Sequence, residues 1–184
     1  ALFWIDWNNQ QIYRMTASGV GRYIRNAGKS RSKGFELNGE ANPFSNLTIN
    51  ASFGYTFAKF REYQLSEKVD YSHNYLPYTH KETVYAGVSY LIPFIGSAVK
   101  SLRLNADYTG TGKLYWGEDN ALSRGYFGLL NASVDLSVGK AIFSIWGKNL
   151  GDCHYAAYSF AMGSTHFGQK GNPITAGISV SLHL

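Results

Sequence analysis

In residues 173–184 every second position is apolar: Ile174, Ala176, Ile178, Val180, Leu182 and Leu184 alternate with Thr175, Gly177, Ser179, Ser181 and His183. Successive side chains of a strand point to opposite faces, so this pattern makes a ribbon with one apolar and one polar side. On a helix both sets would be smeared around the circumference. About 9–11 tilted residues cross the hydrocarbon of a bilayer, which is the span of this alternation. The design recurs upstream. Leu47, Ile49, Ala51, Phe53, Tyr55 and Phe57 oppose Thr48, Asn50, Ser52, Gly54 and Thr56. It returns in Val84, Ala86, Val88, Tyr90 and Ile92, in Leu102, Leu104, Ala106 and Tyr108, and in Leu130, Ala132, Val134, Leu136 and Val138.

The remaining chain fills in the same scheme. Residues 1–15 read as a strand rich in aromatics and amides, 16–21 as a turn, and 22–41 as a long strand. In its second half Phe35, Leu37, Gly39 and Ala41 oppose Gly34, Glu36, Asn38 and Glu40. Asn42-Pro43-Phe44-Ser45-Asn46 is a turn, because Pro presets φ and Asn and Ser bond locally. Residues 141–149 make a further strand. About eight strands result, joined by tight links after Ala41, Pro93 and Val138 and by long segments at 64–78, 116–124 and 150–172. This alternation is that of an antiparallel transmembrane β-barrel, with short turns on the periplasmic side and long loops outside.

Composition narrows the classes. No apolar run approaches the 18 or so residues of a membrane helix, which excludes a helical membrane protein. Aromatics at 16%, 20 Gly and only 4 Pro suit strands. A net charge of +5 raises nucleic acid as a partner. The excess, however, is local to Arg22, Arg25, Lys29, Arg31 and Lys33, and no nucleic-acid module accompanies it. Cys153 is the single cysteine, so it has no internal disulfide partner. No nucleophile elbow, zinc spacing or phosphate loop points to catalysis or to a cofactor. Asp152-Cys153-His154 is a poor metal set, since adjacent side chains of an extended chain diverge. The start, Ala1-Leu2-Phe3-Trp4-Ile5, has no signal-peptide order, and a piece of a longer chain is expected.

Alternation alone would also fit a soluble β-sandwich with its apolar face turned inward. Three features favour lipid outside and water inside. The apolar faces are aliphatic in mid-strand, with Tyr55, Phe57, Tyr90 and Tyr108 near strand ends like an interfacial girdle. The polar faces carry Asn, Ser, Thr and Gly with scattered Glu36, Glu40, Arg103 and Asp107, not the dense charge of a soluble surface. Long loops fall on one side only.

Asn26-Ala27-Gly28-Lys29 through Gly34-Phe35-Glu36-Leu37 looks like an "Asn-x-Gly … Gly-x-Glu" strand, followed by residues 47–57. Asn149-Leu150-Gly151-Asp152 with Tyr155 looks like an "Asn-Leu-x-Asp … Tyr" element, and Gly171-Asn172-Pro173 leads into the final strand. In this order the motifs resemble the C-terminal part of the TonB-dependent outer-membrane receptors, over nearly the whole chain. Members usually end in an aromatic residue, whereas this chain ends in Leu184. The resemblance implies about eight strands of a 22-stranded barrel, with the plug domain outside this chain. It implies integral residence in the outer membrane of a Gram-negative bacterium, and a TonB-type energy-transducing partner reached through the missing N-terminal region. The implied activity is non-enzymatic: import of a scarce ligand such as a ferric siderophore, haem, cobalamin or a glycan. A passive porin or an adhesin would share the barrel but lack the plug.

Ligand contacts are expected from the outer loops at Tyr71, His73, Tyr75, Tyr115, Trp116, Tyr155, Tyr158 and His166, because aromatics offer broad area with a polar tip. The same residues would also serve simply to pack the loops together. Counting up from Pro43, Lys29, Arg31 and Lys33 continue the lipid face of Phe35 and Leu37 unless a bulge intervenes. They are therefore candidates for lipopolysaccharide phosphates; a bulge would instead turn them to the lumen.

Overall fold

A computed structural model describes residues 1–15, 22–26, 28–96, 98–163 and 165–182. The turn expected at 16–21 and the terminal Leu184 lie outside the described residues. In chain order the strands are β1 (Leu2–Asn8), β2 (Gln11–Met15), β3 (Arg22–Asn26), β4 (Lys29–Phe44), β5 (Leu47–Glu62), β6 (Gln64–Ser66), β7 (Val69–Asp70) and β8 (Glu82–Pro93). They continue with β9 (Val99–Thr111), β10 (Leu114–Tyr115), β11 (Ser123–Arg124), β12 (Phe127–Val138), β13 (Ala141–Lys148), β14 (Ala156–Met162), β15 (Thr165–Lys170) and β16 (Thr175–Leu182).

Eight strands form one antiparallel sheet in the order β1-β4-β5-β8-β9-β12-β13-β16. The others pair locally as β2–β3, β6–β7, β10–β11 and β14–β15. Each ribbon interrupts a connection at the same end of the sheet. At the opposite end the links are short, as at Ser45-Asn46 and Gly139-Lys140. Gly139 has φ +58, which glycine adopts without steric cost.

Register places the alternation on two continuous faces. One row of partners crosses the sheet as Leu47, Tyr90, Leu104, Val134, Ile145 and Ile178. The row beside it runs Ala41, Ile49, Val88, Ala106, Ala132, Gly147 and Ala176. Between them, on the other face, lie Thr48, Ser89, Asn105, Ser133 and Trp146. There the polar groups satisfy one another: Asn105 Nδ2 donates to Ser133 Oγ at 3.0 Å and to Asp135 Oδ2 at 2.9 Å, and Asn131 Nδ2 donates to Asp107 Oδ2 at 2.7 Å. Among the described residues no second layer covers the apolar face, and Ile145 and Ile178 stand 62% and 76% exposed. A sandwich would have buried them against its other sheet. This is a single wall that needs an apolar medium on one side.

The structure corrects three sequence expectations about boundaries. Residues 1–15 and 22–41 do not form unbroken strands: Asn9 and Gly28 both adopt positive φ, 56° each, and the Asn9 amide donates to the Gly28 carbonyl at 2.9 Å. A Cβ at Gly28 would run into the Glu62 carbonyl, so the ribbon β2–β3 is set off from the wall there. The turn expected at 42–46 shrinks to Ser45-Asn46, because an irregularity between Ala41 and Phe44 carries β4 past Pro43. The loop at 150–172 contains a hairpin, β14–β15. What is buried gathers at the ribbon end, where Ala58, Phe60, Tyr63, Leu114 and Trp116 are the buried apolar residues among those described.

Candidate functional site

The ribbons meet over the polar face of the wall. Thr83, Thr111 and Phe127 are register partners on that face, and Tyr155 stacks on Phe127 with centroids 4.1 Å apart and planes 9° apart. Arg124, at the end of β11, covers the same ring, its Cζ 4.4 Å from the centroid, and also lies 5.7 Å from the Trp116 ring. Its Nη1 donates to the Ala156 carbonyl at 3.0 Å and its Nη2 bonds His80 Nε2 at 3.0 Å. An arginine only donates, so His80 accepts through Nε2 as the neutral imidazole with its proton on Nδ1.

Burial, then the adjacent Arg124 charge, holds His80 below the usual histidine range. Burial likewise lowers Arg124. Among the described residues no carboxylate stands at ion-pairing distance from Arg124, and its Nε is buried without a partner. Around it Trp116 meets Tyr78 and Tyr158 edge-on at 5.9 and 5.6 Å, while Tyr78 and Tyr158 stack at 6.4 Å. The arrangement is a cation with hydrogen-bonding capacity framed by aromatic rings at the mouth of the polar face. Its chemistry suits an anionic, partly aromatic ligand.

The expected contact residues divide. Trp116, Tyr155 and Tyr158 come together in this cluster. Tyr75 and Tyr115 stack on each other at 5.3 Å, but Tyr75 is bridged to Lys59, which shares the apolar-face parity of Phe57. Tyr71 packs edge-on against Tyr63 at 5.6 Å beside Phe60. His73 is exposed at φ +69, tied by its amide to the Phe60 carbonyl at 2.9 Å. His166 lies on β15 in a groove of about 430 Å³ that Trp116 and Phe160 also line.

In the basic run a bulge does occur, between Lys29 and Ser30, but it sits above the next two cations. Arg31 and Lys33 pair with Lys59 and Phe57 and share the face of Phe35 and Leu37. Lys29 bridges Glu62 at 2.9 Å and Arg31 bridges Asp6 at 2.7 Å.

Sequence reasoning passed over Arg124, His80 and Tyr78. A signal existed for the first: Arg124 is the only Lys or Arg between Lys113 and Lys140. It also missed Asn120, at φ +56, which clamps two loops. Its Oδ1 accepts from the Tyr75 amide at 2.7 Å and its Nδ2 donates to the Tyr75 carbonyl at 2.9 Å. No group of three or more His, Cys, Asp and Glu that could hold a metal ion occurs among the described residues.

A family model described as TonB dependent receptor-like, beta-barrel, matches residues 1–150. The chain belongs to this family. Solved structures of similar fold include the ferric yersiniabactin uptake receptor FyuA from Yersinia pestis, with TM-score 0.81 and 19% identity over 97% of this chain and 26% of that one. The siderophore receptor PiuA from Acinetobacter baumannii gives 0.73 and 18% over 97% and 24%. The ferric-catecholate import receptor Fiu from K12 E. coli gives 0.70 and 19% over 100% and 24%. The chain thus spans about a quarter of the length of each of these receptors. At these identities the likeness is one of fold, that of a TonB-dependent receptor wall.

Proposed function

We propose that this chain forms the C-terminal part of the barrel wall of a TonB-dependent receptor that imports a ferric siderophore across a Gram-negative outer membrane. The observation that carries the reading is the family match over residues 1–150 of a wall whose faces are continuously apolar and continuously polar. The plug domain and the segment that engages the TonB-type complex belong to parts of the receptor beyond this chain. Among ligand classes, the Arg124 cluster favours an iron chelate. Catecholates offer oxygens to a guanidinium and flat rings to Trp116, Tyr78 and Tyr158, and carboxylates offer the oxygens alone. Of the three receptors named above, one takes up ferric yersiniabactin, one is a siderophore receptor and one imports ferric catecholate, which supports the same class here. Glycans, by contrast, lack that pairing of anionic oxygens with flat aromatic rings.

The test uses the full-length receptor that carries this chain. Ferric catecholates and ferric carboxylates are titrated against tryptophan fluorescence in the purified receptor. Radiolabelled iron uptake is followed in cells with and without an uncoupler. Saturable quenching, weakened about tenfold or more in Arg124→Gln through loss of a charged hydrogen bond, is expected together with uptake that stops on uncoupling. Uptake indifferent to uncoupling establishes a passive porin instead. The absence of quenching by any ferric siderophore sinks the ligand class.

A further inference from the structure

On the apolar face the wall ends in a ladder of alternating aromatic rings and lysines, separate from the Arg124 cluster. Lys33 stands between two register partners, its Nζ 5.3 Å from the Trp4 centroid and 5.5 Å from that of Phe57. Lys59, two residues beyond Phe57, lies 5.4 Å from the same ring and 4.4 Å from Tyr75. Lys81 covers the other side of this rung, 3.9 Å from Tyr75, and Lys113 reaches Tyr115 at 4.9 Å. Each contact falls within cation–π range, so the ammonium groups are held in place and not left swinging.

Charge balance separates these four lysines from their neighbours. Lys29 and Arg31 are neutralised by Glu62 and Asp6. Among the described residues no carboxylate lies within ion-pairing distance of Lys33, Lys59, Lys81 or Lys113. Height matters as well. From Leu47, next to the short turn, to Phe57 there are ten residues of β5. At a tilted rise of about 2.4 Å each they consume about 24 Å, nearly all of the ~25 Å apolar band. The ladder therefore begins where the hydrocarbon ends, on the loop side.

We propose that Lys33, Lys59, Lys81 and Lys113 form a binding band for the phosphates of a phosphorylated glycolipid of the outer leaflet. The assignment of leaflet rests on the receptor reading above. The aromatics orient the ammoniums along the headgroup level, and the continuous apolar stripe below, Phe57, Tyr55 and Phe53, takes the acyl chains. The site thereby shifts from the Lys29–Arg31–Lys33 run that the sequence pointed to. Its centre is β5 and the connections that follow β5 and β9.

The experiment measures glycolipid retained by the purified full-length receptor, by mass spectrometry, in the parent, in K33Q/K59Q/K81Q/K113Q and in the corresponding all-arginine variant. Add-back uses bis-phosphorylated and dephosphorylated lipid A, with inorganic phosphate as competitor. The glutamine variant should retain about tenfold less phosphorylated glycolipid and the arginine variant parental amounts. Dephosphorylated lipid A should bind all three weakly, and free phosphate at millimolar level should not displace the intact lipid. Undiminished retention in the glutamine variant, or equal binding of dephosphorylated lipid, overturns the proposal. If the quadruple variant fails to assemble, the four single Lys→Gln variants decide, each expected to lower retention and none doing so being fatal. Ferric-siderophore quenching is read in parallel and should be unchanged. Quenching lost with retention intact would place the lysines in the import path and refute the band. Failure of quenching in every variant would count only against the ligand class.

Discussion

At Asn149 the chain adopts φ +51 and turns its side chain into the last loop, where the residue is 4% exposed. Nδ2 donates to the carbonyls of Cys153 and Asn172, each at 3.0 Å, and Oδ1 accepts from the Cys153 amide at 2.8 Å. The "Asn-Leu-x-Asp" element is thus a knot that fixes where β16 begins, and Asp152 adds a bond to the Ile174 amide at 3.2 Å. His80 belongs to the same scale. It is held neutral by burial and by Arg124, so its folded value lies below the ordinary one of about 6.5. Linkage then has a definite sign: docking of β10–β11 onto the wall is complete above about pH 6.5 and is lost as pH falls through the depressed value. Amide exchange of residues 114–124 in the full-length receptor should accelerate, relative to intrinsic rates, as pH is lowered from 8 to 5. In His80→Gln, whose Oε1 still accepts from Arg124, that dependence should vanish. A dependence that survives the substitution would assign it to another group.

Strand β16 carries the alternation in its barest form, with Ile178 and Val180 on the apolar row and Ser179 and Ser181 on the polar one. Val180 partners Phe143, which pairs in turn with Leu136, so an arginine there would sit in a fully apolar row. Val180→Arg in the full-length receptor should cost clearly more than Ser179→Arg, reaching roughly 2–4 kcal/mol if Val180 lies near the midplane, measured by reversible unfolding in lipid or detergent. Equal costs would mean that the faces are misassigned. Strand β4 shows how an element resists simple counting. Its parity is preserved from Arg31 to Ala41, yet a bulge at one end and an irregularity at the other set where it enters the ribbon and where it turns.

The wall ends in two free edges, β1 and β16, which are not paired with each other in the described sheet. Open edges expose rows of backbone donors and acceptors that a bilayer leaves unsatisfied at several kcal/mol per group, so closure needs further strands. Residues 1–184 refolded alone in detergent should therefore aggregate and give no stable conductance. A monodisperse, heat-resistant species migrating as a closed barrel would instead establish an eight-stranded barrel complete in itself.

The two-faced strands, their number, the side on which the long connections fall and the family were legible in the sequence. Period-two patterning is local, and a strand's length against a bilayer is simple geometry. Tertiary structure decided which loop residues meet. Trp116, Tyr155 and Tyr158 converge on Arg124 and His80, while Tyr75 and Tyr115 turn to the lysine ladder, because ribbons inserted between neighbouring strands fold over one another. The choice of partners is set by contacts between residues more than forty positions apart, as at Asn120 and Tyr75 or Arg124 and His80. No window of sequence contains both members of such a pair, so alternation alone could place these residues above the membrane but not on one side of the wall or the other.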